Sequence, residues 1–93
     1  MLEKAVEKAF VLAGKSRGAT ALKLRILGRA GWPDRLCLAP GGHIAFVELK
    51  RPGQKPRALQ CLIHDQLRLL GFICVVIDQK EQVEPFYVQW LGK

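Results

Sequence analysis

Ninety-three residues with a net charge of +7 and 49% apolar side chains describe one domain with a modest core, and exclude a disordered chain. No apolar run approaches the ~20 residues that span a bilayer, and the acids within MLEKAVEKAFVLAGK argue against a secretory signal; the expectation is a cytoplasmic protein with no membrane partner. The charge is uneven, with twelve Lys and Arg against four acids in residues 1–57 and three against four in 58–93, and such a basic face attracts polyanions, phosphodiester backbones above all.

In chain order, Leu2, Ala5, Val6, Ala9, Phe10 and Ala13 predict a helix over 2–13 with one buried face, stopped by Gly14. TALKLRIL, residues 20–27, alternates Leu22, Leu24 and Ile26 against Lys23 and Arg25, as a half-buried strand does. GRAGWP is a loop in which Pro33 pushes Trp32 toward an extended conformation. Residues 34–39 and 44–50 are apolar runs joined by PGGH, a strong hairpin signal. RPGQKP is a basic loop rich in Pro and Gly. Leu59, Leu62, Ile63, Leu67 and Leu70 then predict a helix from Arg57 to Leu70, ended by Gly71. FICVVI, residues 72–77, reads as a short strand buried on both faces. A last helix between Lys80 and Leu91 would present Val83, Phe86, Tyr87, Trp90 and Leu91, with Pro85 near its first turn. The expected class is α/β: a small mixed central sheet flanked by helices, in the order α-β-β-β-α-β-α, as a single domain over 1–93.

Alternation in IAFVELK places Ile44, Phe46, Glu48 and Lys50 on one face of a strand, with Ala45, Val47 and Leu49 on the other. A carboxylate beside Phe46 is costly there unless it is paired or bound to a metal. Taken singly, Glu48 and Lys50 read as a salt bridge at a strand end, and Asp34 as a turn residue. Taken together they are more specific. Two carboxylates converging across a hairpin make a hard-oxygen site for Mg²⁺ or Mn²⁺. A lysine on the same face orients or deprotonates water and neutralises phosphoryl charge. Convergence needs a particular register. A two-residue loop at Gly41 and Gly42 would put Asp34 opposite Leu49, on the wrong side, whereas a loop from Pro40 to Gly42, or a bulge, puts it opposite Glu48.

With these residues the chain resembles the VRR-NUC (virus-type replication-repair nuclease) branch of the PD-(D/E)xK nucleases. The likeness runs through Gly31-Trp32-Pro33-Asp34, Val47-Glu48-Leu49-Lys50, Gln60 on the next helix and Gly71-Phe72 before the last strand, and spans most of residues 3–78. Trp32 stands where many members have a smaller apolar residue. The resemblance implies catalytic roles for Asp34, Glu48 and Lys50, support from Gln60, and metal ligation by Asp34, Glu48 and the Leu49 carbonyl. It also implies a metal-binding glutamate on the first helix, for which Glu3 and Glu7 compete. At ~100° per residue Glu3 lies over Phe10 at the edge of the apolar face, and Glu7 turns further toward solvent, so Glu3 is preferred. The implied activity is a Mg²⁺- or Mn²⁺-dependent endonuclease acting on DNA in replication or repair. Its substrate would be branched DNA, as for Holliday-junction resolvases, and no small-molecule cofactor is implied.

Lys15, Arg17, Lys23, Arg25, Arg29, Arg51, Lys55 and Arg57 are expected to contact phosphates, which position a duplex without reading its sequence. Symmetric cutting of two strands calls for a homodimer. The FVLAGK end of the first helix, with Phe86, Tyr87, Trp90 and Leu91, carries more apolar area than one sheet face hides, which points to an interface. His43 and His64 are expected to face solvent, and neither is needed as a base, because a bound metal lowers the pKa of water. Cys37, Cys61 and Cys74 lack zinc-ligand and disulfide spacing and read as buried thiols. Two rival readings are a non-catalytic module for double-stranded nucleic acid, which αβββα elements with a basic face also suit, and an inactive nuclease fold serving as an interaction subunit.

Overall fold

The hydrophobic patterns resolve into the expected order of elements in a computed structural model that describes the backbone of residues 2–93 and side chains from residue 4 onward. Helix α1 (Leu2–Lys15) is followed by β1 (Thr20–Lys23), β2 (Arg35–Ala39), β3 (His43–Leu49), α2 (Ala58–Leu69) and β4 (Ile73–Ile77). A 3-10 turn (Lys80–Gln82) then leads into α3 (Val83–Leu91). The sheet runs β1-β2-β3-β4. Its first two pairings are antiparallel hairpin neighbours, and β3 pairs with β4 in parallel, so α2 is the crossover that a parallel pair requires.

Alternation along β3 sorts its side chains as expected. Ala45, Val47 and Leu49 are buried on one face, where they join Cys37 and Ile77 beneath Val6 and Phe10 of α1 and Val83, Phe86, Tyr87 and Trp90 of α3. Phe86 stacks on Trp90 at 5.6 Å, and the Tyr87 hydroxyl donates to the Phe10 carbonyl at 2.9 Å. The tail's aromatic rings are therefore core, and the interface surface expected from them is reduced to exposed Leu12 and Val88. Gly14 does not stop α1. It lies inside the helix, where an added Cβ would come within 2.6 Å of the Tyr87 oxygen.

The opposite face is covered only in part. Ile63 and Leu67 of α2 pack on Cys74, with Trp32 and Phe46 at the margin. The twelve-residue helix ends before it reaches β1, so Leu22 (44% exposed), Leu38 (38%) and Ile44 (40%) stay open. This corrects the expectation of a half-buried strand over 20–27. The strand stops at Lys23, and the leucine in it has no cover. β4, expected to be buried on both faces, is an edge strand among the described residues, with Ile73, Val75 and Val76 half-buried.

His64 is buried, against expectation, at 1% exposure. Residues 60, 63, 64 and 67 form the stripe of α2 that faces the sheet, and Leu59 and Leu62 flank it in the open. His43 is exposed in the hairpin. Burial pushes the Cys37 thiol up to about 12 and that of Cys74 up to about 11, while Cys61 is exposed on α2 rather than buried. Among the described residues no helix is long and apolar enough to cross a membrane.

Candidate active site

The β2–β3 hairpin decides whether the two carboxylates meet. Ala39 pairs with His43, so Pro40, Gly41 and Gly42 form the loop, and Arg35 pairs with Val47. One residue further out, that register sets Asp34 across from Glu48. There the ladder changes character. The Asp34 amide donates to Glu48 Oε1 at 3.0 Å, and the Leu49 amide donates to Asp34 Oδ1 at 3.1 Å. Each carboxylate thus takes the place of a backbone acceptor. The surrounding backbone is held as well: Leu24 N–H donates to the Asp34 carbonyl at 2.8 Å, and Lys50 N–H to the Ile77 carbonyl at 2.9 Å.

Glu48 is 5% exposed, a costly place for a charge unless its oxygens are satisfied. Lys50 Nζ lies 3.5 Å from Oε2, and Gln60 Nε2 donates to the same oxygen at 3.4 Å. Gln60 Oε1 also accepts from the Arg57 amide at 2.8 Å, capping the start of α2. One glutamine therefore ties the helix start to the buried carboxylate. The loop before Asp34 presses on that same helix turn. Gly31 has φ of 88°, and a Cβ there would come within 2.8 Å of Leu59 Cγ and 3.1 Å of the Leu59 carbonyl oxygen, so only glycine fits. Trp32 follows, in a T-shaped contact with Phe46 at 6.2 Å, and Pro33 is buried.

Beside Asp34 opens a cleft of about 400 Å³, lined also by Glu7, Lys23, Leu24, Arg25 and Arg35. It brings Lys23 and Arg25 next to Asp34. Glu7 is half-buried and ion-paired to Arg35, so it is less solvent-facing than its helical phase suggests. The side chain of Glu3 lies outside the described residues. Arg51, Lys55 and Arg57 are exposed in the segment after Lys50, and Arg29 in the loop before Gly31. Lys15 is exposed at the end of α1. Arg17 is engaged with α3: it bonds Glu84 at 2.6 Å and the Lys93 carbonyl, and its guanidinium lies 5.1 Å over the Tyr87 ring. Arg35 escaped the sequence reading, having no periodic signal of its own, whereas His64 was expected in solvent although its spacing, one turn after Gln60, puts it on the sheet-facing stripe. Burial, then the nearby Arg68 cation, lowers the His64 pKa and favours the neutral imidazole.

Among the described residues no three His, Cys, Asp or Glu side chains gather into a metal-holding group. Mg²⁺ does not require that many, since it is commonly held by one or two carboxylates together with waters and substrate phosphates. Asp34 and Glu48, both hard oxygen donors fixed by backbone amides, fit such an ion in type, and the Leu49 carbonyl is in the adjoining strand position.

The chain is 40% identical over 79 residues, 85% of each chain, to the candidate nuclease p44 of Acyrthosiphon pisum secondary endosymbiont phage 1. Its fold matches a solved structure described as a VRR_NUC domain with a TM-score of 0.88 and 30% identity, covering 98% of both chains. No family model matches the sequence.

Proposed function

The chain belongs to the VRR_NUC family of the PD-(D/E)xK nuclease superfamily, and we propose that it is a metal-dependent endonuclease that hydrolyses phosphodiester bonds in DNA. One observation carries this reading. Asp34 and Glu48 are locked together across the hairpin with Lys50 and Gln60 on the same buried carboxylate. A core designed only for stability gains little from burying that set, because apolar side chains of similar volume serve as well or better.

Asp34, Glu48 and the Leu49 carbonyl would hold Mg²⁺ or Mn²⁺. Such an ion, when bound, polarises the phosphoryl group and lowers the pKa of a water nucleophile. Lys50 presents its ammonium beside Glu48, where it orients the attacking water and offsets negative charge gathering on the phosphoryl oxygens. Gln60 holds the Glu48 carboxylate in place from α2. Lys23 and Arg25 grip the DNA backbone beside the site, and Arg29, Arg51, Lys55 and Arg57 extend the grip. Contacts of this kind read shape, so we propose branched DNA of replication or repair as the substrate, with two copies of the chain cutting opposing strands.

The test is cleavage of linear duplex, flap, three-way and four-way junctions with Mg²⁺, Mn²⁺ or chelator. Metal-dependent nicking, strongest on branched DNA and absent with chelator, is the expected result. A folded protein that binds the panel equally with and without metal and cuts none of it would support a non-catalytic binding module instead.

A further inference from the structure

Arg35 sits where a strand in a core of this kind ordinarily places an apolar residue. It is 7% exposed, on the same side of β2 as fully buried Cys37, and its cross-strand neighbour in β1 is another cation, Lys23. Like charges directly opposite each other destabilise a sheet, and a buried cation is costly unless its donors are used. Among the described residues Glu7 is the guanidinium's hydrogen-bond partner, at Nη2, and Nε is buried with no partner at all. The Nε–H of this side chain is therefore unspent. Arg25 lines the same cleft, so three cations face it together with Glu7 and Asp34.

We propose that this cleft is a phosphate subsite next to the cutting site, and that Arg35 is its main ligand, a role that rests on the nuclease reading given above. An anion in the cleft removes the cost of opposing Arg35 and Lys23, and the guanidinium fork matches phosphate oxygens in a way an ammonium does not. Asp34 in the cleft wall sets this subsite beside the cutting site. Glu7 is the guanidinium's partner while DNA is absent and competes with the phosphate when DNA arrives.

The experiment uses the full chain carrying Glu48→Gln, so that DNA is bound and not cut, with junction DNA in which single phosphates around the cut are replaced by neutral methylphosphonates. With Arg35 present, one replacement beside the cut weakens binding roughly tenfold or more. With Arg35→Leu, binding is weaker by a similar factor and that same replacement costs nothing further, and the salt slope falls by about one. Arg35→Lys, which keeps the charge and loses the fork, recovers only part of the loss and serves if the leucine variant fails to fold. Glu7→Gln tightens DNA binding, whereas breaking a purely structural ion pair would weaken it. Equal methylphosphonate penalties with and without Arg35, or weaker binding by Glu7→Gln, overturn the subsite. Inorganic phosphate bound through Arg35 without coupling to any DNA phosphate overturns it too, in favour of a site for a free anion. Wild-type chain that neither binds nor cuts unmodified junctions defeats the nuclease reading itself, a result separate from all of these.

Discussion

Asp34 and Glu48 hold each other through the backbone: the Asp34 amide donates to Glu48, and the amide following Glu48 donates to Asp34. The exchange fixes both carboxylates at the end of the hairpin, before any substrate arrives. Groups fixed in this way need little reorganisation when charge develops beside them, which is the condition under which electrostatic stabilisation is most effective.

Asp34→Asn, Glu48→Gln and Lys50→Ala should each reduce cleavage by ~10²-fold or more, the scale of losing one transition-state donor. The amide variants keep the hydrogen-bond acceptors that close the exchange, so thermal melting should remain cooperative. Single-turnover cleavage rates with matched melting curves are the measurement. A well-folded Glu48→Gln protein that cuts at the wild-type rate would place the site elsewhere.

Gln60→Ala should lower activity by about 10- to 100-fold, the usual effect of losing a group that orients a metal ligand. It should also raise the metal concentration needed for half-maximal rate, because Glu48 then loses a donor at Oε2. Because the side chain also caps α2, a companion variant is needed, and Arg57→Pro removes the capped amide while leaving Gln60 itself in place. If that variant alone reproduces the metal shift, Gln60 acts through helix capping and not through Glu48.

The carboxylate convergence was legible because strand alternation has a period of two, and one loop length then settles which residues share a face. The odd loop from Pro40 to Gly42 was foreseeable as a condition, and the register meets it. The rotation of α2 was less legible. Leu59 and Leu62 look like core in a helical pattern, yet they lie in the open because the sheet beneath is narrow and His64 takes the covered position. β1 misled for a related reason: alternation reports which side chains share a face and is silent on whether anything covers it. Arg35 could not be read at all, since a charged residue in an apolar run shows its partner only when α1 is folded against it.

Gly31→Ala should destabilise the fold by ~1–3 kcal/mol through its left-handed φ, with further loss from the contact against Leu59. Urea unfolding would measure the stability, and cleavage below the transition would report on the site. Activity should fall further than the unfolded fraction explains, because the displaced loop carries Asp34. An activity loss that tracks the unfolded fraction alone would mean that Gly31 serves stability only.

Affinity for DNA should drop steeply between low and physiological salt, since each phosphate neutralised by Lys or Arg releases condensed counterions. Charge reversal at Arg25 should weaken binding to unrelated sequences of one shape by similar factors, as a backbone contact does. Reversal at Arg17 should matter less, because its guanidinium is already committed to Glu84 and the Lys93 carbonyl. Fluorescence anisotropy over a salt series would show this, and a flat response would argue against a phosphate-tracking face.

A two-fold dimer is the last expectation, and its surface follows from what α2 leaves open. Leu22, Leu38 and Ile44 are neighbours on β1, β2 and β3, each more than a third exposed, on the face that carries Asp34 and Glu48. An apolar patch offers nothing to a phosphate backbone. A two-fold contact sets a patch against its own copy, and exposed apolar side chains suit such a pairing. Pairing there would bring two cutting sites into one assembly, so that opposing strands of a junction are nicked in a single encounter. Light scattering at micromolar concentration should give a dimer mass for the wild type and a monomer mass for Ile44→Asp, whose exposed position tolerates the charge without unfolding. The monomeric variant should still nick single strands but lose paired cuts within one binding event, which a supercoiled cruciform plasmid reports as nicked circles in place of linear product. A clean monomer mass for the wild type, with linear product undiminished, would dispose of the dimer and leave the nuclease standing.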